Sequence, residues 1–219
     1  MAKIGRMGLG ALCLAVLAGC AGSNDLAEPP VPLGDFALGY DIVVAKNAQK
    51  IAPSREATPE ELKTALQAEI GKRFGRYEGD KLYHIAVNVD AYALAIPGVP
   101  VVVSPKSALV ISVNVWDDAA GAKLNAEPKQ MTVLESFSGK TVIGSGLTQS
   151  REEQIQNLAQ NAAKAIENWL VKNRLEWFGE TAGLSEEELA ALEAGNASDA
   201  AAAGPAADAE VTEASETGN

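Results

Sequence analysis

The chain contains one histidine, His84, and two cysteines, Cys13 and Cys20, among its 219 residues, and that scarcity decides most of the chemistry open to it. A serine or cysteine nucleophile needs a base beside it, usually an imidazole. His84 falls on the polar side of an alternating segment, the place of a solvated or hydrogen-bonded structural histidine. Gly144-Ser145-Gly146 is too short for a nucleophile elbow and reads as a tight turn or bulge. Zinc requires several His or Cys ligands, and a calcium loop requires spaced Asp and Asn around a glycine with a closing Glu; Asp117 and Asp118 do not extend into that pattern. No catalytic residue, metal ligand or cofactor site is therefore assigned. Asp90, Asp117 and Glu135 are each expected as solvated strand-face or turn residues. Carboxylates from distant positions can still converge, which keeps an envelope hydrolase acting on glycans or esters as an alternative.

Cys20 is the exception. Lys3 and Arg6 precede an apolar run from Met7 to Leu17, and Leu17-Ala18-Gly19-Cys20 follows, the three-part layout of an export signal. The run is about a dozen residues, whereas a membrane span needs about 20. The two basic residues would hold its start on the cytoplasmic side. Leu-Ala-Gly-Cys resembles the lipobox of bacterial lipoproteins. The resemblance implies removal of residues 1–19, a thioether-linked diacylglycerol on the Cys20 sulfur, and acylation, typically by palmitate, of the new amino terminus. Two or three acyl chains on one residue anchor a protein stably where one holds it only marginally. Ala21 follows the cysteine, where an aspartate commonly retains such proteins in the inner membrane. The resemblance thus implies the outer membrane, with the domain facing the periplasm.

Composition delimits the rest. The net charge of -11 is local, because nine acidic residues and no basic ones lie between Ser185 and Asn219. The remaining body is near neutral and shows no basic stripe of the kind nucleic-acid binding needs. Once residues 1–19 leave and Cys20 carries lipid, no disulfide is possible, and a body of about 150 residues can bury most of its surface without one. Residues 20–34, with Gly22, Pro29, Pro30, Pro32 and Gly34, read as the lipidated cysteine and a flexible tether. Residues 35–180 form the body. Ser185-Glu-Glu-Glu188 is a capping box for a short helix within 181–194. Residues 195–219 are rich in Ala and acids, with Val211 as the lone large aliphatic, a composition that favours disorder.

Within the body, Tyr40 to Ala45 reads as a strand. Thr58, Pro59 and Glu61 signal a helix start, and Leu62, Leu66, Ile70 and Phe74 then recur at four-residue spacing, with Gly75 or Gly79 as the stop. From Leu82 the period becomes two: Tyr83, Ile85, Val87, Val89 and Ala91 alternate with His84, Asn88, Asp90 and Tyr92. Leu109, Ile111, Val113 and Val115 repeat the alternation against Ser112, Asn114 and Trp116. Asp117 to Gly121 then predicts a turn, and Met131, Val133, Glu135 and Phe137 a return strand, with Thr141 to Ile143 another. Ser150 to Glu153 is a second capping box, opening a helix whose apolar face comprises Ile155, Leu158, Ala159, Ala162, Ala165, Ile166, Trp169 and Leu170, with Glu152, Gln156, Gln160, Lys164 and Glu167 facing away.

This order predicts an α+β fold: a two-layer sandwich with a mostly antiparallel sheet of four or so strands and two amphipathic helices on one face. Over about Phe36 to Leu175, the element order behind a lipobox is similar to small periplasmic lipoproteins of the lipopolysaccharide-assembly and transport-auxiliary type. A shared fold does not carry function across. Ile96 to Pro105 is an unusual apolar, proline-broken loop, expected either to cover the core or to contact an envelope partner. Trp116, Trp177 and Phe178 are expected as core caps. The first expectation is a non-enzymatic binding or assembly component of the envelope; a small-ligand lipoprotein, requiring an apolar cavity, is a further alternative.

Overall fold

A computed structural model describes residues 25–96, 107–136 and 149–178. In chain order the elements are strand β1 (Phe36–Val44), the two-residue β2 (Gln49–Lys50), helix α1 (Pro59–Phe74), β3 (Lys81–Ala93), β4 (Ala108–Asp117), the two-residue β5 (Ala122–Lys123), β6 (Lys129–Leu134) and helix α2 (Arg151–Trp177). The strands form one six-stranded mixed sheet with both helices on one face, an α+β architecture. The sequence-predicted strand at Thr141 to Ile143, the helix at 181–194 and the tail at 195–219 lie outside the described residues.

β3 is the spine of the sheet. β4 runs antiparallel to it, and β5 and β6 pair antiparallel with β4. β1 and β2 instead lie parallel to β3, the minority pairing in a sheet that is mostly antiparallel, as expected. The reason is connectivity: β1, α1 and β3 make a strand-helix-strand crossover, which returns the chain in the same direction. The return strand after the turn comes in two pieces. Between them Asn125 replaces the ladder, its side-chain oxygen accepting from Val115 N–H at 2.9 Å and its amide donating to Val113 C=O at 3.1 Å. Gly121 supplies the positive backbone angle of the turn, φ 60°.

Tyr83, Ile85, Val87 and Val89 of β3, with Leu109, Ile111, Val113 and Val115 of β4, are buried beneath the helices. A bulge between Val89 and Ala91 then shifts the register, so the side chains beyond it exchange faces. Tyr92, expected on the polar face, is consequently 4% exposed, and its hydroxyl donates to Ala57 C=O at 3.1 Å. At the opposite end of the sheet, Phe36 stacks on Tyr83 with ring centroids 5.4 Å apart and meets Phe178 edge-on at 5.3 Å. Phe178 caps the core as expected. Trp116 does not, lying 39% exposed on the other face.

Both helices start as their sequences predict. Thr58 accepts from Glu61 N–H while the Glu61 carboxylate reaches back to Thr58 N–H, and Ser150 and Glu153 repeat the arrangement. Gly75 caps the end of α1. Arg151 ties the two starts together, donating two hydrogen bonds to Glu61. That guanidinium, aided by Thr58 N–H and its hydroxyl, holds the Glu61 carboxyl at about 2.

Residues 25–34 do not hang free. Leu33 is 1% exposed and belongs to the core, Val31 packs partly against it, and Asp25 is bound by both helices. The reading of all of 20–34 as a flexible tether is thus corrected from Asp25 onward. Prolines 29, 30 and 32 exclude helix but favour an extended path, and that path lies along the domain surface.

Candidate functional site

Two features of the described residues stand apart from ordinary packing: the face of the sheet that no helix covers, and a buried ionic cluster between the helices.

On the open face, β1 presents Tyr40, Ile42 and Val44, β3 presents Leu82 and β4 presents Trp116, all large apolar side chains that remain exposed. Register sets their strands side by side, with His84, Ala86 and Asn88 of β3 standing among them. Ala37 lies beside Leu82, Ile42 beside Ala86, and His84 opposite Trp116. The Tyr40 ring lies 5.0 Å from the His84 ring. β1 is also an edge strand, part of whose free side is covered where the Gln67 amide donates to Asp41 C=O at 2.9 Å. Such covering is one way natural sheets protect an edge.

His84 organises this face. Its Nδ1 accepts from Tyr40 N–H at 3.0 Å, which places the ring proton on Nε2, and Nε2–H donates to the Asp118 carboxylate at 2.9 Å. The histidine therefore joins the irregular stretch of β1 to the turn after β4. Gly39 exists for the same contact: a Cβ there would lie 2.4 Å from His84 Nδ1.

The candidate acids have separate partners. Asp90 accepts from Ser112 and Asn88, each at 2.6 Å, on the open face. Asp117 accepts from Ala120 N–H at 2.9 Å and stabilises the turn. Glu135, expected in solvent, is instead 3% exposed and accepts from Ser107 N–H at 3.0 Å. None of these hydrogen bonds joins one of the three acids to another. Gly144-Ser145-Gly146, the loop from Pro97 to Pro105 and Cys20 lie outside the described residues. Among the described residues no group of acids, histidines or cysteines has metal-binding geometry, and no helix is long and apolar enough to cross a membrane. An open groove of about 390 Å³ lies between the end of β1 and the start of α1, lined by Val43, Val44, Ala45 and Pro59 with Lys46, Glu60 and Lys63 around them.

The ionic cluster was not foreseen. Arg73, on α1, and Glu167, on α2, are both fully buried and paired at 2.7 Å. Glu167 also accepts from the Tyr77 hydroxyl and from Lys164, each at 2.9 Å, and from Arg76 at 3.3 Å. Asp25 completes the set, accepting from Arg73 at 2.7 Å and from Lys164 at 2.6 Å. The expectation that Glu167 faces solvent is corrected: it lies four residues after buried Ala163 and four before buried Val171, on the flank of α2 that packs against α1. Arg73 likewise occupies a position next to Ile70 and Phe74 on the buried stripe of α1. Residue type argued for solvent in both cases, whereas spacing pointed inward.

Burial alone would raise the Asp25 carboxyl, but hydrogen bonds from Arg73 and Lys164, with their charges, hold it at about 2. Burial opposes the charge on Arg73 as well, and Asp25 and Glu167 outweigh it, so its pKa is raised. Burial and the adjacent Glu167 both push the Tyr77 phenol up, keeping it protonated as a donor. With every carboxylate oxygen of Asp25 and Glu167 accepting from a cation or a hydroxyl, the cluster is a clasp rather than an acid-base pair.

No protein-family model and no curated protein matches the chain. Among solved structures, it is similar to a candidate lipoprotein of Caulobacter crescentus, at 16% identity and TM-score 0.36 over 65% of this chain and 93% of that one. A Xanthomonas campestris protein from a family of unknown function gives 12% identity and TM-score 0.39 over 68% and 91%. A minor lipoprotein of Acinetobacter baumannii gives 18% identity and TM-score 0.27 over 58% and 91%.

Proposed function

We propose that this protein is a lipid-anchored lipoprotein of the bacterial envelope, held through Cys20 on the periplasmic face of the outer membrane, that acts by binding another envelope protein and not by catalysis. The anchor rests on the Leu17-Ala18-Gly19-Cys20 sequence behind its basic and apolar run. The observation that carries the binding reading is the open sheet face. Tyr40, Ile42, Val44, Leu82 and Trp116 keep large apolar groups in water on one face of three neighbouring strands, an arrangement that costs solvation free energy unless a partner covers it. Tyr and Trp are side chains enriched in protein interfaces. The partner is accordingly a protein presenting a flat apolar strip. The separate partners of Asp90, Asp117 and Glu135 favour this reading over glycan or ester hydrolysis, which needs two convergent carboxyls. Ile96 to Pro105 is a second candidate contact.

A photoreactive residue at Ile42 or Trp116, installed in intact cells, tests the reading. A discrete cross-linked protein that disappears on Val44→Asp supports it. Absence of any adduct from both positions, with Val44→Asp cells showing unchanged envelope integrity, would overturn it.

A further inference from the structure

We propose that residues 25–34 are a seated strap that sets how the domain sits on its membrane, with the helix layer toward the lipid and the open sheet face turned away. This rests on the lipid-anchored reading of Cys20.

The strap is held by ionic contacts at its start and by burial at its end. Asp25 bridges Arg73 of α1 and Lys164 of α2 at 2.7 and 2.6 Å. Arg76 then takes the carbonyls of Glu28 at 2.8 Å and Leu26 at 3.4 Å. Leu33 is buried in the core just before β1 begins. An ordinary surface ion pair would not fix an orientation, because it opens at little cost. Here release takes Asp25 away from the buried Arg73 while Glu167 stays, and leaving a buried charge with less compensation is expensive.

Reach then determines geometry. Four residues lie between Cys20 and Asp25, five Cα-to-Cα steps and a contour of at most about 18 Å. Every side chain that binds Asp25 belongs to α1 or α2. To lay Tyr40 and Trp116 on the lipid, the chain would have to pass the helix layer, about 10 Å across, and then the sheet packed roughly another 10 Å beyond. The segment is too short for that path while the strap is seated. The apolar sheet face is thereby presented to the aqueous compartment, where a protein partner and not the bilayer meets it.

The test uses the full-length lipidated protein in phosphatidylethanolamine/phosphatidylglycerol vesicles carrying a headgroup energy acceptor. A donor dye is attached at one of two exposed sites: Ala68→Cys on α1 or Asn88→Cys on the open face. The α1 dye is expected closer to the headgroups by roughly 20 Å, two layers of structure. Asp25→Ala, and separately a ten-residue Gly/Ser insertion after Asn24, should each shrink that difference. The proposal is overturned if the two dyes are equidistant in the parent protein, if Asn88 is the nearer, or if both strap variants leave the difference unchanged. Cys20→Ser keeps the two ideas apart: loss of vesicle binding supports the anchor whatever the dyes report, and retained binding removes the premise.

Discussion

Removing the Glu167 carboxylate should destabilise the domain far more than a charged helix residue normally would. Glu167 is buried and accepts from four groups: Arg73 at 2.7 Å, Tyr77 and Lys164 at 2.9 Å, and Arg76 at 3.3 Å. Glu167→Ala leaves Arg73 with Asp25 as its remaining carboxylate and leaves the half-buried Tyr77 hydroxyl without this acceptor. Breaking one side of a buried pair costs about 3 to 5 kcal/mol, which for a domain of this size lowers Tm by about 10 °C. The assay is urea denaturation of the mature chain carrying Cys20→Ser, followed by circular dichroism. A second variant separates charge pairing from packing. Arg73→Met with Glu167→Met removes both ions together, and its cost should fall short of the summed single changes by about 1 kcal/mol or more. A Glu167→Ala cost within about 0.5 kcal/mol, the range of an ordinary surface substitution, would refute the buried clasp and restore Glu167 to solvent.

The strap should be acid-labile. The Asp25 carboxyl titrates at about 2 in the fold against an ordinary value of 3.8, so its contribution is complete above about pH 4 and disappears as pH falls toward 2. Hydrogen exchange at residues 25–34 should therefore differ between the parent and Asp25→Asn at pH 6 and converge near pH 2; a difference that persists at pH 2 would contradict the assignment. Ser150→Ala, which removes the hydroxyl that accepts from Glu153 N–H at the start of α2, should cost about 1 kcal/mol in the same denaturation assay. Ile42→Asp, on the open face, should leave stability within about 0.5 kcal/mol while abolishing any partner cross-link; a large loss of stability would mean that Ile42 belongs to the core.

Much of the fold is legible in the sequence because local signals and burial agree there. Thr58, Glu61, Ser150 and Glu153 announce both helix starts, and the alternation from Leu109 to Trp116 assigns each side chain of β4 to the face it occupies. Legibility fails where a single residue changes the pattern. The bulge at Asp90 sends Tyr92 inward, and a period of two contains no trace of it. The parallel pairing of β1 could have been read from the helix between β1 and β3, since a crossover favours it. The clasp was hidden for a different reason. Arg73, Glu167 and Asp25 lie far apart in sequence, and each has a side chain that composition assigns to water. Only the packing of α1 on α2 brings Arg73 and Glu167 together and draws Asp25 onto them. The exposed apolar face is partly legible, because alternation puts Trp116 opposite the buried set of β4, whereas Tyr40, Ile42 and Val44 fall within one undivided apolar run.

Metabolic labelling with a palmitate analogue in the native bacterium, followed by membrane fractionation, tests the anchor at Cys20 most directly. The parent protein should carry label and sediment with the outer membrane. Cys20→Ser should lose the label and appear in the soluble fraction. Equal membrane retention of the two proteins, or no label on the parent, would contradict the anchor and with it the orientation built on the strap.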